Sequence, residues 1–228
     1  MSPHEEQVNT SWRNVYNRYP NLRSLKWYSA IGEAERVGDV QAVVNLATID
    51  PQFVMDAPYY DTIIAAPVGN FTLHLIFLDT TALIRTKKQQ NDEQLLWLAN
   101  TLAQSNSTMR IVVGFHTPFG DPTLTAFLVP ILEKSDDDGS GPLAYFSGRE
   151  LTMQWYKAPK GTHFFISGAS AEFLKNENPF KQPLYVSPSP GFLACTVGFH
   201  EKTEEPRLKT AFVSAAGELL RVVDTSGT

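Results

Sequence analysis

Three short segments carry the side chains that could do chemistry: Gly32-Glu33-Ala34-Glu35, Gly114-Phe115-His116-Thr117-Pro118 and Ser147-Gly148-Arg149-Glu150-Leu151. Each follows an apolar run, so each stands where a strand end would deliver it to a common pocket. Two chemistries fit these residue types. Glu33, Glu35, His116 and Glu150 are candidate ligands for a divalent cation such as zinc or manganese. Alternatively, Arg149 pairs with Glu33 or Glu35 as a buried ion pair, and no metal is needed. A two-cation centre needs several imidazoles and carboxylates converging on one point, and these loops hold a single histidine. Arg149 weighs further against a cation, because a guanidinium cannot ligate a metal and repels one. His116 and Arg149 together could instead hold an anion.

Other nucleophiles and phosphate cradles are poorly supported. Gly168-Ala169-Ser170 lacks the Gly-x-Ser-x-Gly elbow of serine hydrolases. The one cysteine, Cys195, lies in the apolar run Gly191-Phe192-Leu193-Ala194-Cys195-Thr196-Val197 and is expected to be a core thiol. No Gly-x-Gly-x-x-Gly or Gly-Lys-Ser/Thr loop follows a strand. His74, His163 and His200 read as packed strand residues. Asn9, Asn70 and Asn106 begin glycosylation sequons, which matter only on a secretory route.

The elements that must position the three loops follow from periodicity. A helix is expected from Glu6 to Tyr19, ended by Pro20, and another from Val40 to Leu46. Asn91 or Asp92 can cap a helix from Glu93 to Gln104, whose Leu95, Leu98 and Leu102 share a face. A fourth helix, Thr123 to Lys134, should kink or break at Pro130. Strands are expected at Trp27–Ile31, Phe71–Leu78, Arg110–Gly114, Leu143–Phe146, His163–Ser167, Phe192–Val197, Leu208–Ser214 and Leu219–Val223, with turns at Gly168 and Gly217. Strands alternate with helices first and then follow one another, which implies a layered α/β sandwich.

The chain has 228 residues, 43% of them hydrophobic and 11% aromatic, enough for one domain (1–228) with a sizeable core. A net charge of −5 without a basic stripe argues against nucleic acid or an anionic membrane as partner. Asp136-Asp137-Asp138 beside Gly139 reads as a solvated loop, since calcium-site spacing is absent. No run is long and apolar enough for a membrane span, and Met1–Glu6 lacks signal-peptide character, which favours a cytosolic or organellar setting over secretion.

In order, these segments resemble the calcineurin-like metallophosphoesterases, in particular the small purple (tartrate-resistant) acid phosphatase branch. Trp27 to Gly32 resembles the strand before the family's Gly-Asn-His-Asp loop, and Leu73 to Thr80 the strand ending in Asp-Thr. Gln94 to Leu102, with Trp97-Leu98, resembles its Gln-x-x-Trp-Leu helix. Val112 to Pro118 resembles the Gly-His-x-Pro loop with one residue interposed. Phe164 to Ala169 resembles its late Ser-Gly-Ala turn, and Pro190 to Phe192 with Leu208 to Asp224 its C-terminal hairpins.

The resemblance implies a helix-flanked, metallophosphoesterase-like β-sandwich, here covering the C-terminal two-thirds of the family fold and lacking its first strands. The family's dinuclear Fe/Zn/Mn centre would then have lost most of its ligands. Two Asp-bearing motifs precede the region matched here. Glu33-Ala34-Glu35 replaces Asn-His-Asp, and Arg149-Glu150-Leu151 replaces His-x-His. His116 alone falls on a ligand position. The expectation is therefore a catalytically inactive pseudo-acid-phosphatase with no cofactor. It would bind or scaffold a protein partner, or a second copy, that covers exposed sheet. A divergent metal-dependent phosphomonoesterase, with an unconventional site or one completed by another polypeptide, is the alternative.

Overall fold

The computed structural model describes residues 6, 9–67, 71–85, 88–134, 141–159, 161–168, 183–199 and 205–226. The expectations for Asn70, Asp136–Asp138 and His200 lie outside the described residues.

A seven-stranded sheet organises the chain, in the order β3 (Tyr60–Ala65), β4 (Thr72–Leu78), β5 (Met109–Gly114), β6 (Ala144–Ser147), β8 (His163–Ser167), β7 (Met153–Lys157), β9 (Tyr185–Val186). β4, β5, β6 and β8 run parallel, whereas β3, β7 and β9 pair antiparallel to their neighbours. β4 shows why the sheet is covered on both faces. Its residues alternate between Leu73, Leu75 and Phe77 on one side and His74, Ile76 and Leu78 on the other. Ile76 and Leu78 meet a helical layer. It is built from α4 (Thr80–Arg85), α5 (Lys88–Gln104), α6 (Pro122–Phe127) and α7 (Val129–Lys134), through Leu83, Leu95, Leu98, Leu102, Leu124, Leu128 and Leu132.

On the opposite face, Ile111, Ala144, Met153 and Phe165 pack against Leu208, Phe212 and Val223. These belong to a second antiparallel sheet of β10 (Gly191–Phe199), β11 (Pro206–Ser214) and β12 (Leu219–Ser226). Beside it lies a third cluster, where Phe77 and Tyr60 meet the parallel pair β1 (Trp27–Tyr28) and β2 (Phe53–Val54) and the helix α3 (Val40–Ile49). The Tyr60 hydroxyl ties this corner together by hydrogen bonding to the carbonyls of Ser29 and Val54. Among the described residues, no helix is long and apolar enough to cross a membrane.

Several elements depart from expectation. The N-terminal segment is a π-helical turn, Asn9–Arg13, running into α1 (Asn14–Tyr16), followed by a 3-10 turn at Pro20–Leu22. Trp12 packs edge-on to Trp27 and Phe53, 6.0 and 6.3 Å between ring centres. The first strand stops at Tyr28, after which Ser29 to Gly32 form a loop and α2 (Glu33–Val37) begins. The helix expected from Glu93 starts five residues earlier, at Lys88, so Asn91 and Asp92 fall inside it. Pro130 sits in the first turn of α7, where its missing N–H costs no helical bond. The break expected there falls at Leu128, between α6 and α7.

Cys195 is not a core residue. β10 is an edge strand of the small sheet, so its inward side is only partly covered; the thiol sulfur lies 3.8 Å from the buried Thr210 hydroxyl.

Candidate functional site

The three chemistry-bearing loops do converge, beside the C-terminal ends of β4, β5 and β6. Parallel-strand folds present their ligands at this edge, because every strand there ends in a loop on the same side. β4 delivers Asp79 and Thr80. Asp79 caps α4 by accepting the Ala82 N–H at 2.8 Å. Gln94 of α5 clamps the Asp79 backbone, accepting its N–H at 2.9 Å and donating to its carbonyl at 3.3 Å. The Gln-x-x-Trp-Leu helix thus has a structural role, fixing the strand end that anchors the site.

His116, carried by the loop after β5, is 8% exposed. The fully buried Thr80 hydroxyl lies 3.0 Å from both the His116 backbone nitrogen and its Nδ1. Having accepted the backbone N–H, the hydroxyl donates its one proton to Nδ1 in the simplest assignment of this network. Burial, reinforced by the charge of Arg149, lowers the His116 pKa to about 4, so the ring is neutral. Tyr145 completes the clamp by donating its hydroxyl to the His116 carbonyl at 2.8 Å. That contact requires glycine at 114, where a Cβ would lie 2.2 Å from the Tyr145 oxygen and 2.7 Å from Thr80 Cγ2.

Around this histidine the charged residues form two ion-pair systems. Glu33 bridges two guanidiniums, with Arg85 bonded to one carboxylate oxygen and Arg149 Nε 3.6 Å from the other. Its pKa is held below the usual carboxylate range, first by the Arg85 hydrogen bond. The Arg149–Glu33 contact is not the buried pair expected: the two side chains are 50% and 38% exposed. Glu35 takes no part in it and folds back over the Gly32 backbone, where a Cβ would lie 2.4 Å from its Oε2. The more buried pair is Arg36–Asp79 at 3.2 Å, with the Asp79 side chain only 1% exposed. Burial pushes the Asp79 carboxyl upward despite the capping bonds.

Glu150 points inward. A Cβ on Gly120 would lie 3.1 Å from its Oε1, while Oε2 is buried and has no hydrogen-bond partner among the described residues. Burial raises its pKa and favours the neutral acid. Gly168 lets the late turn close on this loop, since any Cβ there would strike the Glu150 carbonyl at 1.6 Å.

A metal pair does not fit these residues. Glu33 is taken by two arginines, whose charges would repel a cation, and of His116 only Nε2 is left, since Thr80 occupies Nδ1. Among the described residues, no three His, Cys, Asp or Glu side chains gather where they could hold one cation. Reasoning from sequence missed Arg36, Arg85 and the Thr80–His116 contact. The signal available was limited to Asp79-Thr80 at a strand end and Arg85 in the last turn of the next helix.

A sheet covered by helices on one face and by antiparallel strands on the other, with loops converging at the ends of parallel strands, is a metallophosphoesterase-like fold. Comparison with known proteins agrees. The chain is 27% identical over 168 residues to tartrate-resistant acid phosphatase type 5 of Rattus norvegicus, covering 65% of this chain and 50% of that protein. Against the Homo sapiens protein it is 25% identical over 228 residues, covering 91% and 66%. The chain thus spans about half the length of the rat relative. No family model matches it. Among solved structures, GAP50, described as the anchor in the inner membrane complex of Plasmodium, superposes with a TM-score of 0.70 at 18% identity. The match covers 95% of this chain and 72% of that one.

Proposed function

We propose that this protein is a non-hydrolytic metallophosphoesterase-like protein that works by binding and assembly. One observation carries the reading: His116, with Nδ1 and its backbone N–H both held by Thr80, sits inside a frame of arginine–carboxylate pairs. Phosphoester hydrolysis in this fold class relies on a metal-bound hydroxide and on cations that offset phosphoryl charge. The arginines beside Glu33 and Asp79 support the reading, because a guanidinium cannot ligate a cation and repels one.

The binding half of the reading rests on uncovered sheet. On the outer side of the small sheet, Phe192 pairs with Val213 and Val213 with Leu219, while Ala194 pairs with Ala211 and Ala211 with Val222. Phe192, Leu219 and Val222 are 51%, 64% and 46% exposed, an apolar face that water covers poorly. Among the described residues β3 is paired along one edge only, and its Ile63 is exposed. A protein partner or a second copy would bury such surface. The description of GAP50 as an anchor makes an anchoring role the natural reading.

The test measures metal content by elemental mass spectrometry after dialysis against zinc, iron and manganese, with p-nitrophenyl phosphate turnover on the same sample. Less than about a tenth of a metal per chain and no turnover are expected. One or two bound metals with turnover would overturn the reading. They would restore a divergent metal-dependent phosphomonoesterase, unconventional or completed in trans.

A further inference from the structure

At the other end of the large sheet, away from the site above, three residues distant in sequence form a hydrogen-bonded chain. His74, 3% exposed, places Nε2 2.7 Å from Asp61 Oδ2 and Nδ1 2.7 Å from Ser105 Oγ. The fold explains the juxtaposition. Ile63 of β3 pairs with His74 of β4, so Asp61, two residues away, projects on the same face. Ser105 directly follows α5, which packs over that face through Leu95, Leu98 and Leu102.

We propose that Ser105 is a nucleophile activated by His74 and Asp61, and that it takes an acyl group from small, activated carboxylic esters. The proton positions follow from the partners. An ionised Asp61 can only accept, so Nε2 carries the ring proton and the Nδ1 lone pair faces the Ser105 O–H. The Ser107 N–H is directed at Ser105 Oγ at 3.4 Å and offsets charge as the hydroxyl proton leaves. Asn106, the residue after the nucleophile, is exposed, and its N–H has no partner among the described residues. In serine hydrolases this is the backbone position that contributes an oxyanion donor. Arg110 steadies the turn by donating to the Ser105 carbonyl at 3.2 Å.

The reaction balances without a cofactor. Ser105 Oγ bonds to the ester carbonyl carbon while its proton passes to Nδ1. The bond to the alcohol oxygen then breaks, and the departing alcohol takes that proton. Water attacks the acyl-serine, loses a proton to Nδ1 and releases the acid as the proton returns to Oγ. Nδ1 is the ring nitrogen nearer the backbone and His74 is enclosed. The substrate must therefore reach the half-buried Ser105 directly, which restricts it to short acyl groups. This chemistry needs nothing from the metallophosphoesterase-like site, so either reading stands or falls without the other.

The experiment exposes the full chain to a fluorophosphonate probe, with intact mass and peptide mapping, alongside p-nitrophenyl acetate hydrolysis. One probe per chain on Ser105 is expected. Its labelling rate should fall by about a hundredfold in His74→Gln, as for loss of a general base. Asp61→Asn, at a partly exposed position, should also slow labelling and stands in if the His74 variant does not fold. No label on Ser105 in the native protein, or an unchanged rate in a folded variant, would overturn the proposal. The chain of three residues would then be a structural tie between an edge strand and a helix end.

Discussion

Gly114→Ala isolates the clamp on His116. The added methyl would sit 2.2 Å from the Tyr145 oxygen and 2.7 Å from Thr80 Cγ2, both on residues with no exposed surface. Tyr145 cannot retreat without giving up its 2.8 Å bond to the His116 carbonyl. Overpacking of this kind costs about 1–3 kcal/mol. Leaving the buried hydroxyl and carbonyl unpaired adds about 1–3 kcal/mol. Against this, alanine in place of a strand glycine returns about 0.5–1 kcal/mol. The net expectation is about 2–4 kcal/mol, a fall in Tm of roughly 4–16 °C for a chain of this size. Urea unfolding followed by circular dichroism measures it. The same substitution made in a Tyr145→Phe background, where the colliding oxygen is gone, should cost about 1–3 kcal/mol less. Equal costs in the two backgrounds, or a loss under about 0.5 kcal/mol in the native one, would refute the reasoning.

Three further outcomes are expected. The imidazoles of His116 and His163 should titrate in NMR spectra with midpoints near pH 4, because burial lowers both pKa values to about 4. Between about pH 6.5 and 4 the unfolded chain then binds more protons at these sites than the folded one. Parent stability should therefore fall relative to a His163→Gln variant as pH drops through that window. Arg36→Met should cost about 1–3 kcal/mol by stranding the buried Asp79 carboxyl, and Asp79→Asn in that background should recover most of it, as read by urea midpoints. Replacing Phe192, Leu219 and Val222 with serine should leave the midpoint within about 0.5 kcal/mol per site and reduce self-association or partner capture in light-scattering and crosslinking assays.

The layers were legible from sequence because their signals are local. β4 announces itself as eight residues, Phe71 to Leu78, dominated by apolar and β-branched types, and α5 by Leu95, Leu98 and Leu102 on one face. The strand β2 was missed because two residues carry too little periodicity to register. At the candidate site, sequence brought the right three loops together and left Arg149 a choice of Glu33 or Glu35, of which the structure takes Glu33. Glu35 and Arg149 are plausible partners by order along the chain, yet the turn after Gly32 sends Glu35 back onto its own backbone and leaves Glu33 to Arg85 and Arg149. The Asp61–His74–Ser105 chain was illegible for a similar reason, since its members lie on two strands and a helix end with no motif joining them.

The order of strands also has a kinetic consequence. β10, β11 and β12 are consecutive neighbours, and the turn at Gly217, with φ of +83°, closes the last hairpin. That sheet needs only short loop closures. The parallel strands do not: β5 reaches β4 only after α4 and α5 have been made, and β8 docks on β6 with β7 already placed outside it. Long closures of this kind are slow. Until they are complete, Leu208, Phe212 and Val223 on the inner side of the small sheet have nothing to cover them. The half-assembled chain therefore leaves both faces of the small sheet sticky, where the finished one buries the inner face. Refolding yield should depend more on chain concentration and temperature than the stability of the finished fold would suggest.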